Sequence, residues 1–305
     1  MSGDNRTRIA FIGFGEAARA FAASLRGHDG LAFTAYDILQ DSTAGGEDQA
    51  KLLDAAATLG VTLAQGPEAA VRDADWVFSA VTAASSLEAA RSAAGVLRAG
   101  QVFFDINSVS AGRKQATAEI VDAAGALYVD MAVMAPVHPR GHRTPVLLAG
   151  RIALPLADML AARGFDFEHI GDEVGNAATI KMVRSMFVKG MEAVTVQALL
   201  AAREAGCFER VYASLEKSFP KFGWPEFGRY RLERVATHGV RRAAEMRESA
   251  ATMRELGFEA GGTLGDAIAS LQDEIGGLGL AFGEDGDLAE TLDLVRSGRR
   301  RSEEG

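Results

Sequence analysis

Ile9-Ala10-Phe11-Ile12-Gly13-Phe14-Gly15-Glu16-Ala17-Ala18 governs the reading of the first half of this chain. Four apolar, strand-type residues run straight into a Gly-x-Gly-x-x-Ala pattern, and an Ala-rich, helix-forming stretch follows. Gly13 permits the tight turn between the two elements. Gly15 leaves no Cβ between the backbone and an approaching ligand, and Ala18 is small enough for helix and strand to pack closely. A helix N-terminus at that point presents N–H groups without intrahelical partners, which suit phosphate oxygens.

The context gives this pattern its weight. Asp37 closes the next strand-like run, 22 residues beyond Gly15. A carboxylate there accepts the ribose hydroxyls of an adenosine and repels a 2′-phosphate, so a dinucleotide of the NAD type is expected in preference to NADP. The cofactor-binding candidates are Gly13, Phe14, Gly15, Glu16, Ala17 and Asp37. Further along, Ser79-Ala80-Val81-Thr82-Ala83 ends a strand-like run, and ligands sit at the carboxyl ends of parallel strands. Val81 and Thr82 are therefore candidates for the nicotinamide ribose, although Thr82 and Ser85 serve equally well as helix caps.

From Arg8 to about Ile170, short apolar runs alternate with Ala-rich helical stretches, the pattern of an open parallel sheet with crossover helices. The expected strands are Ile9–Gly13, Leu31–Tyr36, Trp76–Val81, Val102–Ile106, Leu127–Asp130, Val146–Ala149 and Phe165–Ile170. After Gly171 the texture changes. Residues 175–205 contain no Pro and one internal glycine, Gly190, and are apolar on nearly every face, which predicts a long, deeply buried helix. Helical patterns follow at Phe208–Phe219, Trp224–His238, Arg241–Leu256, Leu264–Ile275 and Asp287–Arg296, separated by Gly- and Pro-containing turns. The expectation is a domain over residues 1–170, an all-α domain over 171–298 and a loose polar tail over 299–305. A helix some 45 Å long and apolar all round is more than a domain of that size covers, which predicts a homodimer through the C-terminal helices.

Bulk properties narrow the partners. With 32 Lys and Arg against 41 Asp and Glu, the formal net charge is −9, and no basic stripe offsets it, so nucleic acid is excluded as a partner. The single Cys207 makes neither an internal disulfide nor a cysteine zinc site, which fits a reducing, cytoplasmic setting. No metal site is expected: the five histidines show no ligand spacing. Residues 1–8 are polar and lead directly into a strand, unlike a signal peptide, and no apolar run is long enough for a membrane span.

The catalytic candidates stand at the edges of these elements. Lysine is scarce, six residues against 26 arginines, and Lys181 falls near the start of the long helix. A partly desolvated lysine loses its proton readily, which suits acid–base work on an alcohol or ketone. Ser185 lies one turn further on the same face. Asn107 and Ser108 directly follow the strand Val102–Ile106, again at the carboxyl edge.

In this order the chain resembles the β-hydroxyacid dehydrogenase group, the 3-hydroxyisobutyrate dehydrogenase-like branch of the 6-phosphogluconate dehydrogenase-like superfamily, over nearly its full length. Gly13-x-Gly15 opens the match. Asp105-Ile106-Asn107-Ser108-Val109-Ser110 stands where the family has an Asp-x-Ser-Thr-type segment, and Asp130-Met131-Ala132-Val133 where it has Asp-Ala-Pro-Val. Gly175 and Lys181 open the interdomain helix. The resemblance implies a doubly wound, mostly parallel α/β Rossmann domain followed by an all-α domain. It also implies oxidation of a 3-hydroxy acid with NAD or NADP, or the reverse, with Lys181 as acid/base and Asn107 and Ser108 on the substrate.

The chain departs from the family at three places. The family's Asn one turn after the lysine is Ser185 here. Met134-Ala135-Pro136 replaces the usual Ser-Gly-Gly, and Pro136 has no N–H to offer a carboxylate. The cationic loop Val137-His138-Pro139-Arg140-Gly141-His142-Arg143 then offers side chains for an acidic substrate group, with Met134, His138, Arg140 and Arg184 as candidates; a solvated loop is the plain alternative. The third departure is the absence of the family's Lys-Asp pair near His238, Arg241 and Arg242, where the segment resembles a variant C-terminal domain of phosphogluconate dehydrogenase-like oxidoreductases. Competing readings are imine reduction, in which the lysine tends to be missing, and a dinucleotide-binding protein without turnover.

Overall fold

The computed structural model describes residues 6–41, 46–280, 282 and 287–303. They form two compact units, residues 1–181 and 182–305, so the division falls eleven residues later than residue 170, inside a helix.

The first unit is built on eight strands in the order β3-β2-β1-β4-β5-β6-β7-β8: β1 (Thr7–Ile12), β2 (Leu31–Tyr36), β3 (Val61–Leu63), β4 (Trp76–Ser79), β5 (Val102–Asp105), β6 (Leu127–Val133), β7 (Val146–Ala149) and β8 (Phe167–His169). β1 to β6 run parallel, β7 pairs antiparallel with β6, and β8 follows β7. This is a mostly parallel, Rossmann-like sheet. β3 was not expected: three residues are too few to show a periodicity. β6 runs three residues past Asp130, whereas β4 and β5 end before Val81 and Ile106.

The helices of the first unit are α1 (Glu16–Leu25), α2 (Glu47–Leu59), α3 (Pro67–Val71), α4 (Ser86–Ala94), α5 (Ala111–Ala123) and α6 (Leu154–Ala162). Alternation along each strand sends side chains to both faces, as a sheet covered by helices on both sides requires. From β1, Ile9 and Phe11 enter one cluster and Ala10 and Ile12 the other. In the first cluster Phe11, Phe78 and Phe104 line up across three strands, with ring centroids 5.7 and 4.8 Å apart. Phe21, from α1 (Glu16–Leu25), meets Phe78 edge-on at 5.8 Å. Burying each such ring stabilises the fold by about 1.5–3 kcal/mol. The parallel register Ile12↔Tyr36, Ile12↔Ser79 and Ser79↔Asp105 aligns four strand ends along one carboxyl edge.

Helix α7 (Asn176–Glu204) leads out of the first unit into the second, which also contains α8 (Phe208–Ser218), α9 (Glu226–Glu255), α10 (Glu259–Gly276) and α11 (Leu288–Glu303). α7 is not buried on every face. Phe187 and Val194 are 68% and 69% exposed. Its buried face carries charge: Lys189 donates to Glu245 at 2.9 Å, and Glu192 is paired with Arg242 and Arg231. Desolvation pushes the Lys189 ammonium below its ordinary value, against the pull of Glu245.

Two further expectations are corrected here. Trp224–His238 and Arg241–Leu256 are one helix, α9. Gly239, which reads as a break, is a crossing point: a Cβ there would lie 2.2 Å from the Gln272 carbonyl of α10 and 2.9 Å from Gly276 Cα, so the two helices touch backbone to backbone. The tail expected over 299–305 is helical through Glu303, and residues 304–305 lie outside the described residues. Its arginines are paired: Arg299 reaches Glu274 at 2.6 Å, and Arg300 reaches Glu204 at 2.5 Å. Among the described residues no helix is long and apolar enough to cross a membrane.

Candidate cofactor and catalytic site

β1 delivers Gly13 to the carboxyl edge with φ at +83°. A Cβ on it would stand 2.5 Å from the Ala80 carbonyl oxygen and 2.8 Å from Val81 Cγ1. The turn is therefore pressed against the end of β4, and only glycine satisfies both the dihedral and the space. Gly15 differs: its backbone is extended, and among the described residues a Cβ would meet nothing within 4 Å. That open cradle lies directly before the first turn of α1, where geometry leaves the Ala17 and Ala18 amides without intrahelical acceptors. A pyrophosphate fits the cradle. Gly15 and Glu16 are exposed and Ala17 is half-buried.

Phe14 does something else. Its ring is fully buried in the sheet's aromatic cluster, and its N–H donates to Asp37 Oδ2 at 2.7 Å. Asp37 Oδ1 accepts from Leu39 N at 3.0 Å. Each carboxylate oxygen keeps a further lone pair, so the group remains competent for a ribose diol while bracing the glycine turn.

Asn107, 5% exposed, joins two strand ends. Its Oδ1 accepts from Val81 N at 2.7 Å, and its Nδ2 donates to Ser79 Oγ at 2.9 Å. Thr82 is exposed, and its hydroxyl donates to Ser85 Oγ at 3.1 Å.

Ser108 and Lys181 come together: Lys181 Nζ donates to Ser108 Oγ at 2.6 Å, with both residues half-buried. The start of α7 puts the lysine there. Asp130, at the register position opposite Asp105, accepts from the Gly175 and Ala178 amides, each at 3.1 Å, as an N-terminal cap supplied from another element. Gly175 has φ at +102°, and its Cβ would stand 2.9 Å from that of Ala111. Ser185 and Arg184 lie one turn beyond Lys181, half-buried and exposed, in the second unit. In that unit Arg242 is buried against Glu192, Arg241 is exposed, and His238 is half-buried with its imidazole held below the ordinary value by desolvation and by Arg234.

The cationic loop goes elsewhere. Gly141 has φ at +58°, and a Cβ on it would fall 2.1 Å from Ser24 Oγ in the last turn of α1. The His142 backbone N–H donates to the same hydroxyl at 2.9 Å. Its ring places Nδ1 2.7 Å from Ser24 Oγ and Nε2 2.8 Å from the Arg163 carbonyl. A carbonyl only accepts, so Nε2 carries the proton. This anchor lies a helix length, about 14 Å, from the glycine turn at the other end of α1. His138 and Arg140 are exposed beside the anchor, while Met134 is half-buried against the small cluster of Ala132, Ala149 and Ala177 at the start of α7.

Burial is the main cause that lowers the His142 imidazole from 6.5, opposed by the bond to Arg163 and reinforced by His28 and Arg143. The folded state thus takes up this proton less readily than the unfolded chain. Stability is present above about pH 6.5 and falls as pH drops below it. Thermal unfolding followed from pH 7.5 to 5 is expected to show that decline in the wild type and a flatter slope in His142→Gln.

Sequence reasoning missed Lys114, on α5 (Ala111–Ala123). It is 1% exposed and lies 3.0 Å from Asp105 Oδ1 and 3.4 Å from Asp130 Oδ1. The signal that could have found it is the pair of aspartates ending adjacent strands, since two buried carboxylates side by side call for a cation.

The family described as "NADP oxidoreductase coenzyme F420-dependent" matches residues 8–108, and the one described as "Domain of unknown function (DUF1932)" matches residues 202–275. The chain is 34% identical to the crystal structure of a conserved hypothetical protein from Sinorhizobium meliloti 1021, covering 95% of this chain and 96% of that one, with a TM-score of 0.70. A conserved protein of unknown function, described as structurally similar to 3-hydroxyacid dehydrogenases, is 29% identical over 90% of this chain and 100% of its own, with a TM-score of 0.65. The 3-hydroxyisobutyrate dehydrogenase of Mycobacterium tuberculosis shares the fold at 16% identity, covering 95% and 99% of the two chains with a TM-score of 0.68. The glycine turn, the eight-stranded sheet and the helical second unit thus have one explanation: the chain belongs to one family with the conserved hypothetical protein of Sinorhizobium meliloti 1021 and has the fold of the 3-hydroxyisobutyrate dehydrogenases.

Proposed function

We propose that this protein is a dehydrogenase of 3-hydroxy acids, using NAD in preference to NADP, with Lys181 as the acid/base. The coarser statement, a fold of NAD(P)-dependent oxidoreductases related to 3-hydroxyacid dehydrogenases, stands on the relatives above. The observation that carries the finer one is the 2.6 Å bond between Lys181 Nζ and Ser108 Oγ at the carboxyl edge. An amine and a hydroxyl in contact bind one substrate oxygen from two sides, and the amine exchanges a proton with it as the carbon is oxidised or reduced. The nicotinamide supplies the hydride chemistry. Gly13, Gly15 and the first turn of α1 would hold its pyrophosphate, and Asp37 its adenosine ribose.

Two measurements test this reading. A panel of 3-hydroxy acids, including phosphorylated and aromatic members, assayed with NAD and NADP by reduced-cofactor absorbance is expected to give turnover with at least one; silence across the panel with both cofactors counts against it. Asp37→Asn retains an oxygen for the Phe14 amide but removes the charge. The ratio of kcat/KM with NADP to that with NAD is expected to rise at least about tenfold, the equivalent of 1.4 kcal/mol. An unchanged ratio rules out Asp37 as the discriminating group.

A further inference from the structure

Among the described residues Lys114 is the most enclosed cation of the first unit, and the partners of its ammonium belong to two segments. Its ammonium donates to the Asp105 backbone oxygen at 2.6 Å and lies 3.0 Å from Asp105 Oδ1. That same Oδ1 accepts from the Asn107 amide at 2.9 Å, and Tyr128 donates its hydroxyl to Oδ2 at 2.8 Å. Asp105 is therefore the root of the loop that carries Ser108. On its other side Lys114 lies 3.4 Å from Asp130 Oδ1, while Asp130 Oδ2 holds the Gly175 and Ala178 amides at the start of the helix that carries Lys181.

We propose that Lys114 is a positioning residue: its buried charge ties the Ser108 loop and the N-terminus of α7 into one frame, and so sets the Lys181–Ser108 geometry. The inference rests on the reading of that pair as the reacting groups. The physical need is clear. Two carboxylates at 0% exposure on adjacent strands repel each other and lose their hydration. Without a cation between them one takes up a proton, and a carboxyl oxygen that bears a proton no longer accepts two amides equally well. Burial already pushes the Asp130 carboxyl above its ordinary value, and Lys114 and the Ala178 amide oppose that shift. The groups facing Asp130 are Lys114 from α5, Asp105 from β5 and the amides of α7, so the lysine is the positive charge that opposes protonation of the cap.

Amide hydrogen exchange tests this without any substrate, so its outcome is independent of whether turnover is found. Lys114→Met is close in volume and lacks the charge. It is expected to speed exchange at least about tenfold at both the Asn107 amide and the Gly175 and Ala178 amides. Exchange in β1 and α1, and the Kd for NADH, are expected to stay as in the wild type. Lys114→Arg, which keeps a cation, is expected to stay nearer the wild type than Lys114→Met does. Wild-type exchange at either segment in Lys114→Met, uniform loosening that includes α1, or equal behaviour of the Arg and Met variants overturns the proposal. Should Lys114→Met not accumulate as folded protein, Asp130→Asn carries the test. Faster exchange at Ala178 with Asn107 still protected supports the two-armed frame, and no change at Ala178 overturns it.

Discussion

Lys181→Met is expected to lower kcat by about 10² or more, the lower end of what a positioned acid/base contributes, while the Kd for NADH stays within a small factor of wild type. The amine is tied to Ser108 and makes no part of the glycine turn, so cofactor binding has no reason to follow it. Lys181→Arg sharpens the result. A guanidinium keeps the charge and the donor capacity but does not release its proton near neutral pH. If the lysine works by proton transfer, the arginine variant is as slow as the methionine variant; if only positive charge is needed, arginine rescues turnover. Near-wild-type turnover in Lys181→Met removes the assignment altogether.

The second large effect separates shape from binding in the cofactor turn. Gly13→Ala places a side chain at φ +83° and a Cβ 2.5 Å from the Ala80 carbonyl. The dihedral alone costs about 1–3 kcal/mol, and β4 must move to relieve the contact. Both thermal stability and NADH affinity are expected to fall, the latter at least about tenfold. Gly15→Ala is expected to do only the second: its Cβ meets nothing within 4 Å among the described residues, so the fold tolerates it, but it fills the space in which the pyrophosphate would rest. Fluorescence titration with NADH beside a thermal unfolding curve reads both quantities. A Gly15→Ala variant that binds NADH as tightly as the wild type shows the dinucleotide does not use this cradle.

The sheet was legible because buried parallel strands are apolar on both faces and bounded by turn residues, so β2 and β7 coincide with their expected limits. β3 was not, because three residues carry no pattern. In the second unit the limits of sequence reasoning are geometric. Gly239 signals a break in one dimension and a helix crossing in three, and nothing along α9 alone separates the two. α7 looked apolar all round because a buried Lys189 and Glu192 are indistinguishable in sequence from solvated ones; their partners on α9 lie about fifty residues away. At the site, Lys181 and Ser108 were singled out on separate elements, and the structure puts them in contact. Asn107 was read as a ligand contact, yet its amide clasps β4. Lys114 was overlooked because its meaning depends on Asp105 and Asp130 being neighbours across the sheet, a fact of register.

The bond from the Phe14 amide to Asp37 has a bearing on how such a protein could change its coenzyme. The carboxylate suited to excluding a 2′-phosphate is also the strut that holds the phosphate-facing turn in shape. A one-step exchange of Asp37 for a small or basic residue would therefore loosen the very platform the new coenzyme needs. Retargeting through such a residue, by selection or by design, needs a second acceptor for that amide as well, whereas asparagine, which keeps an oxygen in place, is the one-step route that leaves the platform standing.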